Sequence, residues 1–354
     1  LEIFDPRRQL WSDRHAAFGR KAQWFGKLLN YRGRPAERSC HVRETAMMAI
    51  QFLVTHSGGF HADELLSSVV LTRLYPHARL VRTREADWIT PAGDRVIYDV
   101  GRDFDAAGLI FDHHQKNPPL RDDGLPYSSF GLIWRHFGRD YLRALDVPAA
   151  DVESIHASFD AGFVLPVDLM DNGALSPSEA GPLLADLTLP MLLESLKPVF
   201  DDRSPDADDR AFDRAMEVAR AFVEASINRK AAKRRAEAVV QTAIAAAGDG
   251  RVLELPMGMP FRSAVVRAGA DHLLFVVHPR DTDWTLTGIR RDEDGFALRA
   301  DLPAAWAGLT DAALEAASGV QGARFCHNGR FIAVAATRDA ALKMAELAVR
   351  EAEG

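Results

Sequence analysis

Four stretches in the first half of the chain place histidine and carboxylate side chains where short apolar runs stop, and this pattern restricts the available folds more than any other feature. Ala49-Ile50-Gln51-Phe52-Leu53-Val54 is a buried-strand signal bounded by polar residues and glycine. It leads directly into Thr55-His56-Ser57-Gly58-Gly59-Phe60-His61-Ala62-Asp63-Glu64, which carries two imidazoles and two carboxylates. Asp99 closes the run Arg95-Val96-Ile97-Tyr98, and Asp112-His113-His114-Gln115 follows Leu109-Ile110-Phe111. The fourth stretch, Val167-Asp168-Leu169-Met170-Asp171-Asn172-Gly173, reads in the same way, as acids at the end of a strand. Helical spacing separates the runs: Leu65, Leu66, Val69, Val70 and Leu74 first, then patterns around Ser129 to Phe137 and Val152 to Ala161. Alternation of this kind predicts an α/β fold with a mostly parallel sheet flanked by helices. Open sheets of that class bind ligands outside the carboxyl ends of their strands, so the four segments are expected to meet in one crevice.

Such a gathering of carboxylates calls for cations, because like charges a few ångströms apart raise one another's pKa. Imidazole and carboxylate donors without a thiolate suit Mn²⁺, Fe, Co²⁺ or Zn²⁺ better than Ca²⁺. Two ions about 3.5 to 4 Å apart would share one carboxylate, and Asp99 is the candidate for it. Taken singly the residues mean little: an Asp at a strand end is usually a turn former or helix cap, and Asp112-His113-His114 alone reads as a surface turn. The case rests on their joint placement.

The rest of the chain divides by texture. Residues 1–47 lack steady periodicity and carry ten Lys/Arg against five Asp/Glu, a charge of +5 that leaves −12 on residues 48–354 out of the total of −7. They are read as a poorly ordered extension. The acids Asp5, Asp13, Glu37 and Glu44 argue against a transit peptide, and Met47 or Met48 is an alternative start. Residues 48–206, which carry all four stretches, are read as one metal-binding unit, and 207–249, rich in Ala, Glu, Lys and Arg without Pro until its closing glycines, as a connecting helix or pair of helices. Residues 250–354 are read as a smaller α+β unit with strands at Val252–Leu255, Ser263–Val266, Leu273–Val277, Trp284–Ile289 and Phe296–Ala300, then a helix near Asp339–Glu351. No run approaches the roughly 18 uncharged apolar residues that span a bilayer, and Cys40 and Cys326 suggest neither a disulfide framework nor a zinc knuckle. A soluble protein of a reducing cytoplasm is expected, without a membrane partner and with a homodimer left open. The net charge of −7 disfavours a broad electrostatic grip on nucleic acid. The run Arg229-Lys230-Ala231-Ala232-Lys233-Arg234-Arg235 is better explained as a solvated helix face than as a phosphate contact, and Trp284 and Trp306 as core residues rather than base-stacking platforms.

With these residues in view the chain resembles the DHH phosphoesterase superfamily, which includes RecJ-type exonucleases, family II pyrophosphatases and oligoribonucleases. Thr55 to Glu64, Tyr98 to Gly101, Asp112 to Gln115, Asp168 to Gly173 and Phe325-Cys326-His327-Asn328-Gly329-Arg330-Phe331-Ile332 together resemble the MYG family, over roughly Ile50 to Arg350. Eukaryotic members of that family are described as 3′-to-5′ RNA exonucleases of nucleus and mitochondrion. The resemblance implies a DHH-type catalytic domain, a hydrolase, and two divalent cations, Mn²⁺ first with Mg²⁺, Co²⁺ or Zn²⁺ as alternatives. It implies His56 and His61 on the first ion, Asp63 and His113 on the second, Asp99 between them, His114 facing the phosphate and Asp112 orienting an imidazole. Asp168 and Asp171 both fit the remaining ligand position, and Asp171 is favoured because Asn172-Gly173 supplies a turn that can aim it inward. Superfamily members commonly carry Asp where this chain has His61. The segment His327, Asn328, Gly329 and Arg330 matches the loop that grips substrate from the second domain, although Asn328-Gly329 is also a plain hairpin-turn signal. The expected activity is attack on phosphorus by a metal-acidified water in RNA or short oligonucleotides, with a small phosphate compound as the alternative substrate and a non-catalytic metal-binding regulator as a third reading.

Overall fold

The computed structural model describes residues 50–176, 182–292 and 295–354. The expectation for residues 1–47, and Cys40 with it, lies outside the described residues. The first sheet contains β1 (Phe52–Thr55), β2 (Arg79–Arg82), β3 (Arg95–Tyr98), β4 (Phe104–Asp105) and β5 (Ile110–Phe111) in the order β2-β1-β3-β5-β4. Pairing is parallel throughout except between the two-residue β4 and β5. The mostly parallel α/β arrangement is therefore the observed one.

Helix α1 (Ala62–Leu74) follows β1 and is buried on nearly every side, which is why its sequence lacks a polar face. Of its two inner serines Ser68 is satisfied, its Oγ donating to the Glu64 carbonyl at 2.7 Å and lying 2.6 Å from the Tyr98 hydroxyl, whereas Ser67 Oγ is buried without a hydrogen-bond partner. Helix α2 (Ser129–Ala144) is capped by Ser128, and α3 (Ala149–Phe159) passes through a π-helical turn, Asp160–Val164, into α4 (Leu165–Asp171). The Asp168–Asp171 segment thus closes a helix and not a strand, correcting the sequence expectation. Its buried residues Val164, Val167 and Asp168 recur at helical spacing, and Asn172 with Gly173 at φ +67° ends it.

After α5 (Leu189–Glu194), the Ala207–Ala247 segment is one continuous helix, α6, of 41 residues, about 60 Å long. Ala211, Ala215, Ala219, Val223 and Ile227 recur every fourth position on its buried seam, and the small residues among them let α1 and α3 approach closely. Further along, Val240 joins a different core with Leu253, Val265 and Val276. A single helix therefore contributes to the hydrophobic cores beside both sheets.

The second sheet contains β6 (Val252–Glu254), β7 (Phe275–Pro279), β8 (Trp284–Gly288), β9 (Ala323–Cys326) and β10 (Ile332–Ala335), ordered β6-β7-β8-β10-β9 and antiparallel apart from β6 with β7. Its helices are α7 (Arg262–Arg267), α8 (Asp311–Ser318) and α9 (Arg338–Glu353), the last burying Ala341, Met344, Ala345 and Ala348. Two expected strands are corrected. Ser263–Val266 lies in α7, where Val265 N–H donates to the Phe261 carbonyl in helical register and only Ala264 and Val265 are buried. Phe296–Ala300 makes a single bridge, Leu298 to Arg290, and Phe296 is 85% exposed, so no row of alternating apolar residues exists to pack. Trp306 belongs to the second core. Among the described residues no helix is long and apolar enough to cross a membrane.

One buried histidine away from the crevice gives a pH test of this packing. His156 stacks on Trp134 with centroids 5.1 Å apart, and its Nε2 lies 3.2 Å from the Trp134 carbonyl oxygen. Burial, with Arg139 nearby, lowers its pKa below the ordinary 6.5. The unfolded chain then binds more protons than the folded one just below that value, so this group's contribution is constant above pH 6.5 and stability falls as pH drops through it. Urea titrations from pH 7.5 downward should show a shallower decline for His156→Gln than for the parent; equal slopes would refute the assignment.

Candidate metal centre

The glycine loop after β1 carries the first ligand candidates. Gly58 at φ +92° turns the chain so that His56 and the start of α1 face one another. His56 Nε2 lies 2.9 Å from Glu64 Oε1 and 3.2 Å from Asp99 Oδ2. Glu64 also accepts the His61 N–H, at 2.8 and 2.9 Å, so one buried carboxylate both caps α1 and reaches His56. The His61 ring is exposed, with its centroid 6.3 Å from that of His56.

Asp99 stands immediately after β3 at φ +54°, a backbone conformation that costs a non-glycine residue energy and that Asp tolerates better than most. That turn places its carboxylate centrally: Oδ1 is 3.6 Å from both His113 Nε2 and His114 Nδ1 and accepts from Ser129 Oγ at 3.2 Å, while Oδ2 faces His56. His113 Nε2 is 3.3 Å from Asp171 Oδ2 and 3.8 Å from Asp63 Oδ2. Asp112 points the other way. Its Oδ1 accepts the His113 N–H at 2.8 Å and meets His114 Nδ1 at 2.7 Å, and its Oδ2 accepts the Arg102 N–H at 2.6 Å. It therefore orders the turn and orients His114, leaving His114 Nε2 as the ring nitrogen not held by Asp112.

Electrostatics show what the arrangement lacks. Burial, reinforced by Asp99 and Asp171, holds the Asp63 carboxyl well above its ordinary range, and burial with the Asp99 charge pushes Asp171 up to about 6. Burial opposes ionisation of His56 and Asp99 as well, yet their mutual pairing prevails: His56 rises to about 10 with Asp99 and Glu64 beside it, and His113 with His56 draws Asp99 down. Protons thus do the neutralising that a cation would do better. Asp63 Oδ2 is buried without a hydrogen-bond partner. Four overlapping sets, Asp99 with Asp112, His113 and His114; His56 with His61 and Glu64; Asp63 with His113 and Asp171; and Asp63 with Glu64 and Asp99, each offer ligand atoms within 4.8 Å of one another. An orphaned carboxylate oxygen amid imidazole and carboxylate donors fits divalent cations of the Mn²⁺ or Zn²⁺ type.

Asp168 is not drawn into this cluster. Its buried carboxylate receives Arg121 Nη2 at 2.6 Å, Arg121 Nε at 2.9 Å and Ser128 Oγ at 2.7 Å. Arg121 also bridges to Asp160 at 2.8 Å. Asp171, one turn further along α4, is the acid that reaches His113. Beside the cluster opens a cavity of about 340 Å³, lined by His56, His61, Asp99, His114 and two cations, Arg84 and Arg102. Glu64 stands in the sequence motif without an assigned role there, and the motifs do not include Arg84 or Arg102. The only cue was position, since each arginine stands just beyond a strand end of the first sheet.

The proposed substrate loop lies in the second sheet. His327 and Arg330 close the β9–β10 hairpin, with Arg330 N–H on the His327 carbonyl and Arg330 at φ +54°. Gly329 N–H donates to His327 Nδ1 at 2.9 Å, and Arg330 pairs with Asp301 at 2.6 Å. Asn328 and Gly329 form the exposed tip. Among the described residues none of these four shares a hydrogen bond or ion pair with the histidine and carboxylate cluster.

Residues 52–349 match the model of a family described as "Uncharacterised protein family (UPF0160)", MYG1 exonuclease by its label. MYG1 exonuclease of Homo sapiens is 31% identical over 338 residues, covering 88% of this chain and 88% of that protein. MYG1 exonuclease of Mus musculus is 30% identical over 325 residues, 84% and 85% respectively, and the MYG1 protein of Schizosaccharomyces pombe is 28% identical over 319 residues, 84% and 97%. Among solved structures, RecJ of Thermus thermophilus in complex with Mn²⁺ aligns over 88% of this chain and 54% of that one, at 16% identity and a TM-score of 0.28.

Proposed function

Because this chain belongs to the MYG1 exonuclease family, we propose that it is a metal-dependent 3′-to-5′ exonuclease of RNA or short oligonucleotides. The observation that carries the reading is the gathering of Asp99, His113 and Asp171 about Asp63, one oxygen of which no protein donor satisfies, with His56 reaching Asp99 from the other side. In this reading His56, His61 and Asp99 would hold one cation and Asp63, His113 and Asp171, again with Asp99, would hold the other. Bound cations of this type neutralise phosphate charge and acidify a water to roughly neutral pKa.

The remaining work falls to the chain's own side chains. Asp112 fixes His114 through Nδ1 and raises its pKa, so the half-exposed ring can present a proton to a phosphate oxygen. Arg84 and Arg102 at the cavity wall add charge for the flanking phosphate. His327 and Arg330 are assigned to substrate contact from the second sheet, with Arg330 exchanging its Asp301 partner for phosphate. The cavity volume, about 340 Å³, and the net charge of −7 favour a second reading, hydrolysis of a compact phosphate such as a dinucleotide or pyrophosphate.

A screen of Mn²⁺, Mg²⁺, Co²⁺ and Zn²⁺ against 5′-labelled RNA, dinucleotides and pyrophosphate separates the two. The exonuclease reading expects a ladder of shortened 5′-labelled products and a KM that rises steeply with salt, since each phosphate contact on a single strand contributes about −0.7 to the slope of log K against log salt. Turnover confined to dinucleotide or pyrophosphate with a shallow salt response would establish the second reading, and release of labelled mononucleotide at the outset would reverse the polarity.

A further inference from the structure

On the flank of the molecule formed by α3, α6 and α7 lies a second cavity, of about 440 Å³, that the chemistry above does not use. Five cations line it: Arg229, Lys230, Lys233 and Arg234 from α6 and Arg267 from α7, facing Ser158 of α3 with further serine hydroxyls around them. No carboxylate and no aromatic ring is in its wall. Arg234 and Arg267 are partly neutralised from outside the groove, Arg234 by Asp151 at 3.0 Å and both by Glu237 at 2.8 Å. Lys230 Nζ donates to the Ser158 carbonyl at 3.0 Å and meets its hydroxyl at 2.8 Å, neither of which cancels charge. Among the described residues Arg229 and Lys233 have neither an ion-pair nor a hydrogen-bond partner. In a chain of net charge −7, a concave surface with three unneutralised cations is complementary to an anion with several charges.

Two further features select the kind of anion. Without an aromatic wall the groove has nothing on which a base could stack, so recognition would fall on phosphate and sugar. Helix geometry bounds its distance from the metal centre: from Ser158 to Asp171 the backbone is helical throughout, with a π-helical turn at Asp160–Val164, and at about 1.5 Å per residue or less this spans up to about 20 Å. A dinucleotide seated at the metal centre cannot span that gap, whereas a longer strand can.

We propose that this groove binds the backbone phosphates of a single-stranded nucleic acid, several nucleotides away from the end held at the metal centre. The proposal rests on the exonuclease reading for the identity of its ligand, but its test does not depend on turnover. The sequence also supplies an internal control. Arg235 lies two residues beyond Lys233 on α6 and does not line the groove, so Lys233→Glu and Arg235→Glu change the net charge equally while only the first alters the wall.

Binding of a fluorescent, cleavage-resistant phosphorothioate RNA 12-mer and of the matching dinucleotide to the full chain, read by anisotropy in Mn²⁺, decides the matter. Lys233→Glu should weaken the 12-mer about tenfold and reduce its salt slope by about one, with Arg235→Glu within about twofold of the parent. Equal losses from the two substitutions would assign the effect to net charge and overturn the proposal, as would no loss from Lys233→Glu. A dinucleotide weakened as much as the 12-mer, or inorganic tripolyphosphate bound through Lys233 without displacing the 12-mer, would also overturn it in favour of a small-anion site. A parent chain that hydrolyses no RNA yet shows the length-dependent, Lys233-dependent binding would overturn the exonuclease reading and leave the groove standing.

Discussion

Asp99→Asn is expected to lower divalent-cation-dependent hydrolysis by about 10³-fold while leaving the chain folded. The substitution keeps side-chain size and the hydrogen-bonding reach toward Ser129, so the positive-φ turn after β3 survives. What it removes is the one negative charge that faces His56, His113 and His114 together. Neither Asp63 nor Asp171 can take over, because each approaches His113 from its own side and has no contact with His56 among the described ion pairs. A second readout keeps the assignment separate from any general damage. Ligands that bind only the folded state add about 2.7 kcal/mol at a hundredfold excess over Kd, so Mn²⁺ should raise the Tm of the parent and raise that of Asp99→Asn much less. A variant that hydrolyses at the parental rate, or that gains as much Tm from Mn²⁺ as the parent, would remove Asp99 from the centre of the site.

Arg121→Ala should destabilise the fold by about 3 to 5 kcal/mol, the cost of leaving a buried charge without its partner. Asp168 has no solvent exposure, and in the native structure its ionised form depends on Arg121 and Ser128 against a burial that raises its pKa. Asp160 loses its partner in the same step. Arg121→Lys should recover little, since one ammonium cannot reproduce a guanidinium that joins two carboxylates and lies 4.6 Å from the centroid of Tyr127. Arg121→Met combined with Asp168→Asn should recover a large share, because the fully buried uncompensated charge is gone and the one left on Asp160 is partly exposed. Urea titrations of the three variants test this, and an Arg121→Ala within about 1 kcal/mol of the parent, the range of an exposed pair, would show that the network carries no weight. Activity should fall in Arg121→Ala even where it is fully folded, since α4 carries both Asp168 and Asp171 and the anchored first acid aims the second at His113.

The local part of this molecule was legible in the residue order. Apolar runs of strand length, each closed by His or Asp, correspond to β1, β3 and β5, and the uninterrupted Ala-, Glu- and Arg-rich stretch to the single helix α6. Such signals depend on side-chain periodicity and on where glycine and polar residues stop a run, and both are properties of neighbouring residues. Ser263–Val266 shows the limit, because four residues with a few apolar side chains fit a strand and a helical turn equally well.

Choices among chemically equivalent side chains were made only by the tertiary structure. Asp168 and Asp171 stand three apart on one helix and therefore share a face, so no local pattern separates ion-pair partner from ligand candidate. Arg121, far away in sequence, claims the first and leaves the second for His113. Glu64, Arg84 and Arg102 likewise acquire their places from chain segments that sequence does not put beside them. Residue order dictated which groups end each strand and helix; the charge that each of them meets is a long-range property, because Coulombic partners are chosen by proximity in the folded chain and not by separation along it.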